Sequence, residues 1–197
     1  MRTVTTTTAR PVPPSSSRSG KLASHPKEVP VSAIRVEKQG PLAVLRLDKP
    51  RGNAIDEAIV DELTAACVAL EADTAVRGVL LASAHPKLFC PGLDLVALLE
   101  YDRPAMQLFM GKFAGMVWQL YGLRKPVVAA VSGHAVAGGC ILAMAADWRV
   151  LRRGATIGLN EVKVGVPLPL SISELLRATV APVFVPHVWS RILQRRL

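Results

Sequence analysis

Two glycines at the predicted start of a helix, followed about twenty residues later by a glutamate, form the chemically most suggestive pattern in the sequence. The apolar run 127–131 is typical of a buried strand. After it come Ala137-Gly138-Gly139 and an apolar segment, 140–146, which predicts a buried helix. The first N–H groups of a helix lack internal partners, so a substrate oxygen could approach the Gly138 amide closely.

The glutamate of this pattern is Glu161, in the apolar context Ile157-Gly158-Leu159-Asn160-Glu161-Val162. The residues alone therefore show a carboxylate in apolar surroundings. Two alternatives stay open on the residues alone. The glycines could be packing devices, and Glu161 could be a surface acid paired with Lys163 or an arginine. A phosphate-binding loop is disfavoured because neither G-x-x-x-x-G-K-[ST] nor G-x-G-x-x-G occurs.

A second candidate donor lies in the segment FCPGLDL, residues 89–95. Pro91 fixes its own φ angle, and Gly92 can adopt a positive φ. Together they can turn the Leu93 N–H inward just before a helix. The Leu93 and Gly138 amides, aimed at one oxygen, would form an oxyanion hole. The sequence leaves open whether they converge.

These segments, with Asp147, resemble the crotonase (enoyl-CoA hydratase/isomerase) superfamily over roughly residues 31–170. The matching stretches are FCPGLDL at 89–95, GHAVAGGC at 133–140 and IGLNE at 157–161. Lys49-Pro50 with Asn53-Ala54 resembles the upstream substrate-side motif of the family. The AGGC and IGLNE stretches are most similar to the mitochondrial-type Δ3,Δ2-enoyl-CoA isomerases.

The resemblance implies an α/β fold built as a crotonase-like spiral of ββα turns. It implies an acyl-CoA substrate whose thioester oxygen lies between the Leu93 and Gly138 amides, with Glu161 moving the proton. Coenzyme A is then part of the substrate, no cofactor or metal is expected, and a homotrimer is typical of the family. The substrate-binding residues that the resemblance implies are Asn53, Ala54, Pro91, Gly92, Leu93, Asp94, Leu95 and Gly138.

The residue after the Gly-Gly-Cys turn separates the reactions of the family. Hydratases of the superfamily use a second glutamate there, whereas this chain has Ile141. We therefore expect an isomerase of fatty-acid oxidation that converts 3-enoyl-CoA to 2-trans-enoyl-CoA. The alternatives are another crotonase-type reaction, as a hydratase or acyl-CoA hydrolase, and an inactive acyl-CoA-binding or interaction protein.

The elements that must position these residues alternate along the chain, which predicts the α/β class. Predicted strands cover 31–37, 42–47, 78–81, 127–131, 147–151 and 156–159. Predicted helices run from Asp56 to about 71, from Asp94, from Pro104 to about 123, and over 140–146, 168–180 and 186–195. Residues 85–92 are predicted to be a loop.

Composition places one globular domain at 31–197 and a basic, Ser/Thr/Pro-rich disordered leader at 1–30. The chain has 197 residues, 50% of them hydrophobic, and a net charge of +9 that is concentrated in both tails. No aromatic residues interleave with these charges, so nucleic-acid binding is not expected. No apolar run reaches the length of a membrane span. The cysteines, Cys67, Cys90 and Cys140, are expected to be reduced thiols.

The two ends of the chain carry the remaining expectations. The leader resembles an organelle transit peptide, but its prolines argue against one continuous amphipathic helix. We therefore expect a cytoplasmic location, with the mitochondrial matrix as the alternative. Family members continue beyond the point that matches Leu197, so the domain is expected to lack the usual C-terminal helical part.

Overall fold

The computed structural model describes residues 32–50, 52–161 and 168–180. The predicted leader at 1–30 and the predicted helix at 186–195 lie outside these residues. The strands are β1 (Ile34–Gln39), β2 (Leu42–Leu47), β3 (Gly78–Ser83), β4 (Leu88–Cys90), β5 (Val127–Val131), β6 (His134–Val136), β7 (Trp148–Leu151) and β8 (Ile157–Gly158). The helices are α1 (Glu57–Ala72), α2 (Leu95–Leu98), α3 (Arg103–Tyr121), α4 (Gly138–Met144) and α5 (Leu170–Thr179).

The strands form two sheets whose connectivity repeats. The larger sheet has the order β1-β2-β3-β5-β7, and the smaller has the order β4-β6-β8. Strand β1 pairs antiparallel with β2, and all the other pairings are parallel. From β3 onward, the chain makes one strand of the large sheet, then one of the small sheet, then helix. The predicted spiral of ββα turns is confirmed.

Helix α1 packs on β1 and β2 of the large sheet, and α3 packs on α1. The Asp56 side chain accepts a hydrogen bond from the Ile59 N–H and so fixes the start of α1. The buried residues of α1 recur at helical spacing, and α3 begins after the Asp102 cap with Pro104 in its first turn. All three cysteines are free and buried, and burial raises the pKa of each thiol to about 12.

Two short strands differ from the sequence expectation. Strand β4 lies inside the predicted loop 85–92, and β6 was not predicted at all. Each has three residues, too few for a periodic pattern, and each is defined by its pairing with the other. Helix α4 begins two residues before the predicted start at Cys140. Within the described residues, no helix is both long and apolar enough to cross a membrane.

Candidate active site

One apolar cavity collects the predicted donors and the predicted proton carrier. Its volume is about 740 Å³, including the part that is open to solvent. Helices α2, α3 and α4 and the loops beside the helices contribute to its wall. The predicted site residues in that wall are Pro91, Leu93, Leu95, Gly138 and Glu161.

The Leu93 amide is oriented by a parallel bridge to Ile55. The Ile55 N–H donates to the Gly92 carbonyl at 2.8 Å, and the Asp94 N–H donates to the Ile55 carbonyl at 2.8 Å. In this pattern the N–H of the bridging residue points away from its partner strand. Gly92 makes the turn with a φ of 107°, which a residue with a side chain rarely adopts. The Leu93 N–H is therefore directed away from Ile55, and Leu93 lines the cavity.

The Gly138 amide is oriented by an unusual backbone conformation at Ala137. Ala137 has φ 51° and ψ −122°, and its N–H donates to the Gly158 carbonyl at 3.0 Å. Gly138 then begins α4, so its N–H has no partner within the helix. A Cβ at Gly92 would lie 3.2 Å from the Gly138 nitrogen. The Pro91–Leu93 turn and the start of α4 are thus in direct contact, and both Leu93 and Gly138 line the cavity.

The sequence left open whether the two glycines expose an amide or allow close packing. Each of them serves one of these two purposes. Gly138 lines the cavity, whereas Gly139 packs against β4. A Cβ at Gly139 would lie 2.0 Å from the Cys90 carbonyl oxygen. Gly138 therefore allows access to an amide, and Gly139 allows the close packing that brings this amide to the Pro91–Leu93 turn.

The Glu161 carboxyl group is placed in surroundings that disfavour its charge. Its Oε2 atom is buried and has no hydrogen-bond partner among the described residues. Burial raises the pKa of Glu161 above its usual value, and the backbone at Glu161 and Asn160 opposes this shift only in part. The alternative partner Lys163 lies outside the described residues. Within the part of the chain that is described, no salt bridge includes Glu161.

The raised pKa gives a testable pH dependence. A base must be deprotonated to accept a proton, so if Glu161 is the base, as predicted, the rate falls as the pH drops through its pKa. Because burial raises this pKa, the acid limb of kcat/KM is expected above the ordinary titration range of a glutamate. A rate profile measured with an enoyl-CoA ester checks this. An acid limb at or below the ordinary range would contradict the assigned environment.

Ile141 supplies hydrocarbon to the same wall. It lies in the first turn of α4, is only 3% exposed and lines the cavity together with Glu161. The position at which the sequence resemblance expects a second acid in hydratases is thus inside the cavity. An aliphatic side chain there neither accepts a proton nor orients a water molecule.

Four predicted substrate-binding residues lie outside the cavity wall. Asn53 is fully buried with a φ of 66°, and it donates to the Ser83 hydroxyl at 2.8 Å and to the Phe89 carbonyl at 3.0 Å. In this placement Asn53 anchors β4, and its contact with substrate stays a prediction. Gly92, Asp94 and Ala54 also lie outside the wall. Gly92 and Asp94 bond to Ile55, the bridge partner of Leu93, and the Ala54 carbonyl accepts from Lys49.

Several wall residues were not predicted from the sequence. Met110 and Phe113 come from α3, and Leu168 and Pro169 precede α5. In the sequence they look like ordinary core residues of amphipathic helices, and no motif marks them. Ala137 was within a recognised segment, but its strained conformation has no sequence signal.

Comparison with known proteins identifies the family of this chain. Residues 37–190 match the family described as enoyl-CoA hydratase/isomerase, and the chain belongs to that family. It is 36% identical over 134 residues to a carnitinyl-CoA dehydratase of Salmonella arizonae, a match over 68% of this chain and 51% of that relative. The chain spans about half the length of the curated relatives that it matches.

Two solved structures show the same fold. The human mitochondrial Δ3-Δ2-enoyl-CoA isomerase is similar with a TM-score of 0.74 and 28% identity, covering 79% of this chain and 62% of that chain. An enoyl-CoA hydratase from Bacillus anthracis is similar with a TM-score of 0.66 and 26% identity, covering 68% of this chain and 53% of that chain. Both isomerase and hydratase names therefore occur among the structural neighbours.

Proposed function

We propose that the protein is an enoyl-CoA isomerase that moves a 3-enoyl-CoA double bond to the 2-trans position. One observation carries the proposal. Glu161 shares a cavity with two candidate oxyanion donors, while the wall position that could hold a second acid is Ile141. One carboxylate is sufficient for isomerisation, whereas addition of water needs a further group to activate the water.

The proposed reaction is a proton shuttle across an enolate. Glu161 removes a proton from C2, and the electron pair moves to the thioester oxygen. The Leu93 and Gly138 amides stabilise that oxyanion, and loss of one such donor typically costs about 10²–10³-fold in rate. Glu161 then returns the proton to C4, which leaves the double bond between C2 and C3. The buried carboxyl group suits both steps because burial brings its two protonation states closer in free energy at neutral pH.

A second candidate function is a hydratase-type or dehydratase-type reaction on an acyl-CoA ester. It is favoured by the carnitinyl-CoA dehydratase name of the curated relatives. The same oxyanion donors would serve it, since elimination of water next to a thioester also passes through an enolate. Ile141 argues against it, because the cavity then offers a single carboxylate within the described residues.

A paired assay separates the two candidates. The purified protein is expected to convert a 3-enoyl-CoA to the 2-trans product and to add water to crotonyl-CoA at least about 100-fold more slowly, because a general base for water is missing. Spectrophotometry and chromatography of the products check this. Replacing Ile141 with glutamate is expected to raise hydration by about 10-fold or more. Fast hydration by the unmodified protein would reject the isomerase in favour of the hydratase.

A further inference from the structure

We infer that Lys49 is a positioning residue for the oxyanion hole, acting through Asp94 and Asp56 rather than by contact with substrate. This inference rests on the proposed function, because it concerns the placement of the Leu93 amide. Lys49 follows β2, is mostly buried, and lies outside the cavity wall. Its effect must therefore pass through the residues that it binds.

The Lys49 ammonium group joins three segments of the chain. Its Nζ atom lies 2.6 Å from Asp56 Oδ2 and 3.2 Å from Asp94 Oδ2, and it donates to the Ala54 carbonyl at 2.9 Å. Asp56 caps α1, and Asp94 caps α2 by accepting from the Ala97 N–H. The three donors of one lysine are thus directed at two helix N-termini and at the strand-like segment beside Leu93.

The Leu93 peptide lies between the groups that Lys49 holds. Ala54 precedes Ile55, the bridge partner of Leu93, and Asp94 follows Leu93 directly. Lys49 binds both sides of this bridge, the Ala54 carbonyl on one side and the Asp94 carboxylate on the other. Its backbone N–H also donates to Asn53 Oδ1 at 2.9 Å, which ties it to the anchor of β4. Lys49 therefore fixes the bridge from which the Leu93 N–H projects.

Removal of the ammonium group would leave two carboxylates facing each other. The carboxylate oxygens of Asp56 and Asp94 would lie within about 6 Å of each other, a repulsive arrangement in a partly buried site. No other cation among the described residues pairs with either of them. Asp94 is the residue that can move, since α2 has only four residues. Its displacement would turn the Leu93 N–H away from the position of the oxyanion.

The first test measures kinetics on the full chain with a 3-enoyl-CoA ester. Lys49→Met is expected to lower kcat by about 10–100-fold with less than about a 3-fold change in KM, since misplacement of one donor affects the transition state more than the ground state. Asp94→Asn added to Lys49→Met should recover part of the lost rate, because asparagine keeps the helix cap but removes the repulsion. A raised KM with unchanged kcat, or no recovery in the double variant, would overturn the inference.

The matched control is Lys112→Met. Lys112 also lies near two acidic residues of α1, Glu57 at 3.9 Å and Asp61 at 3.3 Å, but the pairs are on the surface. Exposed pairs contribute little, so this variant should keep the kcat of the unmodified protein. If Lys112→Met lowers kcat as much as Lys49→Met does, the effect is general to lysine removal and the inference fails.

Hydrogen–deuterium exchange tests the positioning role of Lys49 without any need for activity. If the protein does not isomerise the ester, the proposed function alone is rejected, and the exchange experiment still tests the inference. Lys49→Met should speed exchange of the amides in 92–98 and leave those of β5 unchanged. Unchanged exchange in 92–98 would overturn the inference. An equal increase in both segments would overturn it as well, because it indicates a general loss of stability. If Lys49→Met does not fold, Lys49→Gln, which keeps hydrogen-bond donors without the charge, is measured in the same way.

Discussion

Glu161→Gln is expected to lower kcat for 3-enoyl-CoA isomerisation by about 10³-fold or more while leaving acyl-CoA binding nearly unchanged. Glutamine fills the same space as glutamate and keeps the apolar wall intact, but it cannot accept the C2 proton. General acid–base groups contribute typically about 10²–10⁴-fold, and this cavity offers no second carboxylate within the described residues. Steady-state kinetics and a separate titration with a saturated acyl-CoA measure the two quantities.

The same substitution is expected to raise stability, and the sign follows from the pKa shift. Burial raises the pKa of Glu161 in the folded protein above its value in the unfolded chain. The unfolded chain therefore loses this proton at lower pH than the folded protein does. The contribution of Glu161 to the free energy of unfolding is greatest at low pH and falls as the pH rises through the folded-state pKa. A glutamine side chain does not titrate and carries no such dependence. Urea unfolding should show the variant to be the more stable protein at neutral pH, with the difference shrinking under acidic conditions.

A matched control for this experiment is Glu174→Gln on α5. The Glu174 side chain is about half exposed and lies 3.8 Å from Arg177 on the same helix. It should change neither kcat nor the pH dependence of stability by a measurable amount. Near-normal isomerisation by Glu161→Gln would contradict the assignment of Glu161 as the proton carrier and would favour an indirect role for the cavity.

The long elements of the fold were predictable because each carries a local signal. Helix α1 has a capping aspartate and apolar residues at helical spacing, and β5 is an apolar run between Pro126 and Gly133. Strands β4 and β6 carry no such signal. They are defined by pairings between segments distant in the sequence, and α4 packs closely on β4 through Gly139, so the smaller sheet depends on tertiary contacts.

In the candidate site, too, residues within local motifs were predictable, whereas residues whose role depends on tertiary contacts were not. Leu93, Gly138 and Glu161 were predicted as site residues because glycine turns and an isolated acid are visible as residue types, and all three line the cavity. The sequence did not show which residues line the cavity and which support its wall. Asn53, predicted to bind substrate, is fully buried and donates to the Ser83 hydroxyl. Supporting residues depend on pairs distant in the sequence, such as Lys49 and Asp94, which no local pattern connects.

Gly139→Ala is expected to destabilise the protein by about 3 kcal/mol and to lower kcat strongly in whatever fraction still folds. The new Cβ would lie 2.0 Å from the Cys90 carbonyl oxygen and 2.7 Å from the Cys90 carbonyl carbon. Both are backbone atoms of β4, so no side-chain rotation relieves the overlap, and overpacking of this kind costs about 1–3 kcal/mol or more. Helix α4 must then move away from β4.

That movement makes the substitution a test of the site as well as of the fold. Strand β4 leads into the Pro91–Leu93 turn and α4 begins at Gly138, so the contact of Gly139 with Cys90 sets the spacing between the two proposed oxyanion donors. A modest increase in that spacing weakens the hydrogen bond of one donor to the oxyanion. The expected loss in kcat is up to that for complete removal of one donor, about 10²–10³-fold. The loss of rate should therefore exceed the loss expected from the unfolded fraction alone.

Gly111→Ala provides the matched comparison, since it adds the same methyl group to another helical glycine. Gly111 lies within α3, and a Cβ there would meet no atom within 4 Å. Alanine restricts the unfolded chain and favours the helix, so this variant should gain about 0.5–1 kcal/mol of stability and keep its activity. If α4 packs on β4 as described, urea unfolding shifts in opposite directions for the two variants, and steady-state kinetics show a loss of kcat for Gly139→Ala alone. A Gly139→Ala protein with unchanged stability would show that the two elements are not in contact, and the spacing of the Leu93 and Gly138 amides would then need another cause.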